Sequence, residues 1–199
     1  MNNFTQDFLK QTNQICESVS SDVIENMADE LAALRERKGR LFFIGSGGGA
    51  GHSSHAVCDF RKLGNIECYT PSDNVSELTA RVNDDGWDTA YSNWLKVSNF
   101  NSNDSIFVFS VGGGSKEKNI SVNLVNCISL ANELGSTVMG VVGRDGGYAK
   151  KSSDLTLVIP TVDDSLVTPH TEGWQAVIWH LLISHPKVCV NETKWESTK

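Results

Sequence analysis

The feature that most restricts this chain is an alternation that begins at residue 40. Short apolar runs, several met at once by glycine or serine, are each followed by a stretch with helical spacing. The runs are Arg40–Ile44 (RLFFI), Ile66–Tyr69, Ser105–Phe109 (SIFVF), Thr137–Val142 (TVMGVV) and Leu155–Ile159. They are too short for helices, and continuously apolar in the way of strands buried on both faces. Between and after them the spacing predicts helices over His52–Leu63, Val75–Val82, Thr89–Val97, about Lys116–Leu134 and Thr171–Ser184. Alternating strands and helices of this kind predict a doubly wound, three-layer α/β/α sandwich around a mainly parallel five-stranded sheet.

Ahead of the first strand, apolar residues recur at helical spacing from Phe4 to Leu34 with no glycine or proline between them. One long helix is expected, or two with a break near Ser18–Asp22, ended by Gly39 with Arg35, Arg37 and Lys38 in the last turn. That much apolar surface exceeds what one sheet face covers, so part of it is expected to pack on another subunit. The division expected is an amino-terminal oligomerisation segment, 1–38, a ligand-binding domain, 39–187, and a polar, frayed tail, 188–199.

Composition narrows the partners. The 199 residues suit a single domain, and 39% hydrophobic with 21% charged residues excludes disorder. A net charge of −7 argues against broad nucleic-acid binding, which needs a basic face. No apolar run approaches the ~20 residues that span a bilayer, and the first residues lack the pattern of a signal peptide. Five cysteines without CxxC spacing read as reduced thiols, and the expected location is the cytoplasm.

Two glycine-rich loops stand where parallel sheets bind ligands, between a strand and the helix that follows. They are Gly45-Ser-Gly-Gly-Gly-Ala-Gly51 and Ser110-Val-Gly-Gly-Gly-Ser115. One such loop is readily an ordinary tight turn. Two in equivalent positions, one flanked by serines, point to a phosphate or sugar phosphate. Gly45-x-Gly47-x-x-Ala50 also fits a loose dinucleotide fingerprint, with Glu67 at about the expected distance of ~20 residues. Glu67 lies at the wrong end of its strand for a ribose ligand, however, so no nucleotide cofactor is expected.

Two pairs of acid–base groups accompany the loops. His55 and Asp59 stand four residues apart on one helix face. Glu172 and His180 stand eight apart, about 80° around the last helix, and can share a broad face. Imidazoles and carboxylates from two helices suit Zn²⁺ or a similar divalent ion, or without metal a carboxylate base and an imidazole acid. His185, beside Pro186, reads as structural, and His52 and His170 stay open.

These loops and helices resemble the sugar isomerase (SIS) domain family, and within it the phosphoheptose isomerase branch. The resemblance runs from the amino-terminal helix to His180 and takes in Asn83-Asp84 and Gly143-Arg-Asp-Gly-Gly147. It implies a homotetramer with sites at subunit interfaces that interconverts sedoheptulose 7-phosphate and glycero-manno-heptose 7-phosphate. It further implies Asp59 and His180 as catalytic base and acid, and His55, Asp59, Glu172 and His180 as zinc ligands. Ser46, Gly47, Gly48, Asp84, Ser110, Val111, Gly112, Ser115 and Glu172 would contact substrate.

The sequence departs from the family at four places. The first loop has Ser46 and Gly49 where the family has asparagine and serine. Gly112 replaces a serine, and Asp59 replaces a glutamate. Thr168-Pro-His-Thr-Glu172 lacks the usual aspartate and arginine. Two other readings are a non-catalytic SIS protein that binds a partner such as a replication initiator, and a phosphosugar-sensing regulator. Retention of four candidate ligands disfavours the first, and the absence of a DNA-binding segment the second.

Overall fold

The structure, a computed structural model, describes residues 3–198, so the ends of the segments 1–38 and 188–199 lie outside the described residues. Its elements run α1 (Phe4–Ser18), α2 (Ser21–Glu36), β1 (Arg40–Gly45), α3 (Gly48–Lys62), β2 (Glu67–Tyr69), α4 (Val75–Asp85) and α5 (Trp87–Val97). Then come β3 (Ser105–Ser110), α6 (Val122–Leu134), β4 (Thr137–Val142), α7 (Gly147–Ser152), β5 (Leu155–Val158), α8 (Val167–Ser184) and α9 (Lys194–Ser197). The five strands form one sheet in the order β2-β1-β3-β4-β5, with every pairing parallel.

Alternate strand residues feed two cores. Phe43, Phe107, Phe109, Met139 and Val141 point to one face, where they meet Leu31 of α2, Phe60 of α3 and Trp179 of α8. Phe42, Ile44, Ile106, Val108 and Val138 point to the other, against Tyr91 and Leu95 of α5, Ile128 of α6 and Ala149 of α7. Burial on both faces explains why these strands show no polar alternation.

Several boundaries differ from the sequence expectation. The amino-terminal pattern is two helices broken at Val19–Ser20, which is the second of the two expected arrangements, but other ends shift. The residue that leaves the helical path after α2 is Lys38, at φ 57°. Gly39 is required for space, since a Cβ there would run into the backbone carbonyl of Asn103. The helix expected from Lys116 starts only at Val122, because Ser115 and Ile120 close a small antiparallel bridge instead. The expected frayed tail is partly core. Val188 is fully buried, and Arg35 donates to the carbonyls of Lys187 and Val188 at 3.0 and 2.8 Å.

Two histidines prove structural. His185 accepts from the Lys187 amide at Nδ1 and donates from Nε2 to Glu25, 3.1 Å away. His170, 4% exposed, stacks on Phe8 of α1 and donates from Nε2 to Gln11 Oε1 at 2.8 Å, while Gln11 Nε2 donates to Asp163. Burial pushes the His170 imidazole below its ordinary value of 6.5, with the Asp163 charge offsetting part of the shift. The unfolded chain then binds more protons in mild acid, so this contribution is complete above about pH 6.5 and is lost as pH falls through the folded-state value. Melting between about pH 7.5 and 5 should show Tm falling with acid. The slope should flatten in His170→Gln, whose amide can keep the bond to Gln11. An unchanged slope in that variant would remove His170 as a source.

Candidate active site

β1 and β3 are neighbours in the sheet, yet the chain leaves β1 for α3 on one face and β3 for α6 on the other. Such a switch point opens a crevice at the carboxyl ends of the strands. The two glycine loops border this crevice. A cavity of about 1090 Å³ lies there, lined by Ser46 and Gly49 of the first loop, Ser110, Val111, Gly112 and Gly114 of the second, and Glu172 of α8.

The first loop is shorter than its composition suggests, because α3 begins within it at Gly48. Its glycines permit close approach: a Cβ on Gly49 would lie 2.6 Å from the Phe109 carbonyl oxygen, and one on Gly48 would lie 2.6 Å from the Glu172 carboxyl. Gly47 is exposed and positions nothing but the helix start, at φ 58°. Tyr91 fixes the strand end by donating its hydroxyl to Gly45 O at 3.1 Å, and burial pushes its phenol up to about 12. Asn123, fully buried on α6, donates Nδ2 to Ser46 Oγ at 3.0 Å. An amide thus reaches the first loop from α6, where the resembled family carries one in the loop itself.

In the second loop Ser110 accepts from the Gly113 amide at 3.0 Å, which leaves its hydroxyl proton free. Ser115 lines the cavity, but its hydroxyl donates to Glu117 and accepts from the Lys118 amide. Ser121, absent from the sequence expectation, directly precedes α6, lines the same cavity and makes no side-chain cap bond. Its signal was a hydroxyl immediately before an apolar run, the usual mark of a helix start. Gln175 was also missed. It is fully buried at the cavity wall, donates to Val141 O at 3.0 Å and leaves Oε1 without a partner.

A second cluster lies on the packed faces of α3 and α8. One ligand atom from each of His55, Asp59 and His180 falls within 4.8 Å of the others. Asp59 Oδ2 is 3.8 Å from His55 Nε2, and the two imidazole rings meet edge to face at 5.6 Å. The Trp179 ring stacks on His180 and abuts His55. His180 Nδ1 lies 2.7 Å from the Ala176 carbonyl oxygen. A carbonyl only accepts, so Nδ1 carries the proton and the neutral ring presents a lone pair at Nε2. Two imidazoles and a carboxylate are the ligand types of catalytic zinc sites that keep a fourth position open. The 4.8 Å bound on their separation exceeds by about 1.4 Å the spacing of roughly 3.4 Å between donors ~2.1 Å from a tetrahedral ion. These residues fit a divalent metal.

Glu172 stands apart from this trio. Eight residues of helix rise about 12 Å, so its angular position on the face of His180 does not bring it to the same height. Its carboxylate packs over Gly48, outside the trio. His52 lies between the two groups, where burial lowers its imidazole pKa, the Glu172 charge partly opposes that shift, and His180 and His55 add slightly to it. Asp84 belongs to neither group: it sits exposed on α4 and accepts from Asn83 at 2.8 Å.

No family model matches the chain. Among curated proteins, the lincomycin biosynthesis protein LmbN of Streptomyces lincolnensis is 27% identical over 187 residues, 89% of this chain and 66% of LmbN. The chain thus spans just under two thirds of that longer relative. The phosphoheptose isomerase of Pelobacter propionicus is 31% identical over 185 residues, covering 87% of this chain and 90% of that one. Among solved structures, a phosphoheptose isomerase from Francisella tularensis superposes with a TM-score of 0.79 at 17% identity, over 92% of this chain and 97% of that one. With this relative and this fold, the chain belongs to the phosphoheptose isomerase branch of the SIS (sugar isomerase) family and is an isomerase of phosphosugars.

Proposed function

We propose that the protein interconverts sedoheptulose 7-phosphate and a glycero-manno-heptose 7-phosphate. The observation that carries this reading is a carboxylate–imidazole trio joined along α3 to a crevice floored by two glycine loops. An extended phosphosugar has two ends, and the site offers different chemistry to each. Ser110, Ser115 and the loop amides, with Ser46, Gly48, Val111, Gly112 and Glu172, hold the phosphate and hydroxyls. Asp59 takes the proton from the carbon beside the carbonyl and returns it to its neighbour, through an enediol. His180 moves the proton between the two oxygens from Nε2, its one free ring nitrogen.

His55, Asp59 and His180 would hold a divalent ion, for which zinc is the proposed identity, and bound there it would polarise the sugar carbonyl. Asp59 has two oxygens and can serve as ligand and base together. His180 has a single lone pair, so it shuttles protons only when it is not a ligand.

Residues 1–38 serve oligomerisation, 39–187 form the sugar-phosphate domain and 188–199 an appended tail. The working unit is a homotetramer in the cytoplasm. A neighbouring subunit covers the exposed side of the trio, where Val177 and Leu181 are 49% and 41% exposed. Among the described residues no helix is long and apolar enough to cross a membrane.

Purified protein mixed with sedoheptulose 7-phosphate, with and without Zn²⁺, should yield the aldose by NMR. Failure with every five- to seven-carbon phosphosugar overturns the reading. Direct titration should show about one zinc ion per chain, and His55→Ala should lose it while keeping the far-UV spectrum. Undiminished zinc in that variant would place the metal elsewhere.

A further inference from the structure

We propose that Arg144, on the loop between β4 and α7, is a phosphate-gripping residue. Its guanidinium would close over the second glycine loop and select a phosphomonoester dianion. This rests on the phosphosugar reading above and adds to it a residue outside the two glycine loops.

Backbone conformation supplies the first support. Among the described residues, six that are not glycine have positive φ: Lys38, Asn65, Asn99, Asn119, Ser121 and Arg144. Asparagine tolerates this region, and Lys38 ends a helix. The other two, Ser121 at 50° and Arg144 at 53°, both line the cavity. Arg144 stands among Gly143, Gly146 and Gly147, in a loop that uses glycine freely. Glycine at 144 would relieve backbone strain, yet the position holds a long cation. Strain kept at a ligand cavity is a mark of function.

Side-chain placement supplies the second. A Cβ built on Gly112 would lie 3.8 Å from Arg144 Cδ, so the arginine stem runs beside the loop position that lacks a hydroxyl. Among the described residues the guanidinium has no hydrogen bond or ion pair, and Asp145 beside it is engaged by the Gly147 amide at 3.2 Å. The loop itself is fixed. Gly143 donates to Val111 O, and Tyr148 and Ala149 donate to Gly114 O and Gly113 O, each at 2.9 Å. Beside the carboxylates of Glu117, Asp145, Asp164 and Glu172 in the same lining, the guanidinium fork and the free hydroxyls of Ser110 and Ser121 thus offer one set of donors to the cavity. A dianion satisfies such a set, and arginine can bind it through two parallel bonds.

The test is inorganic phosphate titrated into the full-length protein by calorimetry, beside steady-state kinetics on the phosphosugar. Arg144→Asn keeps a residue suited to the backbone and removes the cation. It should weaken phosphate binding about 10- to 100-fold, and the kinetic loss should fall on KM much more than on kcat. Arg144→Lys should recover only part of the affinity. Phosphate affinity within twofold of wild type in Arg144→Asn overturns the assignment, as does an equal loss in Lys118→Gln, which would make the effect a general one of rim charge. If Ser110→Ala weakens phosphate and Arg144→Asn does not, the assignment fails and the phosphosugar reading stands. If the wild-type protein binds no phosphate, both fail.

Discussion

Replacing Asp59 with asparagine is expected to lower kcat on the phosphosugar by about 10³-fold, the range lost when a positioned proton carrier is removed. The side chains have the same shape, and Asp59 is partly exposed beside His55, so the fold should be unaffected. Asparagine still offers an oxygen to a metal but cannot accept a proton from carbon. Zinc content measured beside kcat therefore separates loss of the base from loss of the ion. Asp59→Glu restores the family's residue and extends the carboxylate by about 1.5 Å, one bond. It should stay within about tenfold of wild type, because a single added torsion can return the oxygen to the same place. Wild-type turnover in Asp59→Asn would remove Asp59 as the base and leave Glu172 of α8 and His52 of α3 as the candidates.

The sheet was legible because its three central strands, β1, β3 and β4, are buried on both faces, which leaves unbroken apolar runs. β4 begins and ends where its run does, at Thr137 and Val142. Local spacing also revealed His55 and Asp59 as neighbours, since one helical turn relates them. It could not reveal height along a helix relative to another element. That is why Glu172 was grouped with His180 although its carboxylate packs against Gly48. The stretch after Ser115 misled for a different reason. Lys116-Glu-Lys-Asn lacks glycine and proline but also lacks an apolar face, and the Ser115–Ile120 bridge satisfies its ends instead. Gln175 and Asn123 were invisible because each is a polar residue in an apolar helix, and only packing shows which buried carbonyl or hydroxyl it meets.

The largest stability effect is expected from Gly113→Ala. At φ 70°, Gly113 is in the left-handed region, and an added Cβ would fall within the Gly146 carbonyl, with Gly146 C at 2.6 Å. Both obstacles are backbone, so no side chain can turn aside. The left-handed conformation costs alanine ~1–2 kcal/mol and overpacking ~1–3 more, together roughly 2–5 kcal/mol, or about 10 °C in Tm for a chain of this size. Relief by moving the loop would break the bond from Gly113 N to Ser110 Oγ and that from Ala149 N to Gly113 O. The two loops that frame the cavity would part, so phosphosugar KM should rise with the loss of stability. Gly173→Ala is the matched control. That glycine is within α8 with nothing within 4 Å of a Cβ, so alanine should stabilise by about 0.5–1 kcal/mol. Opposite signs for two glycine-to-alanine changes would show that contact and φ, and not glycine content, set the cost. A Gly113→Ala protein melting within about a degree of wild type would mean that the loops are not packed backbone to backbone.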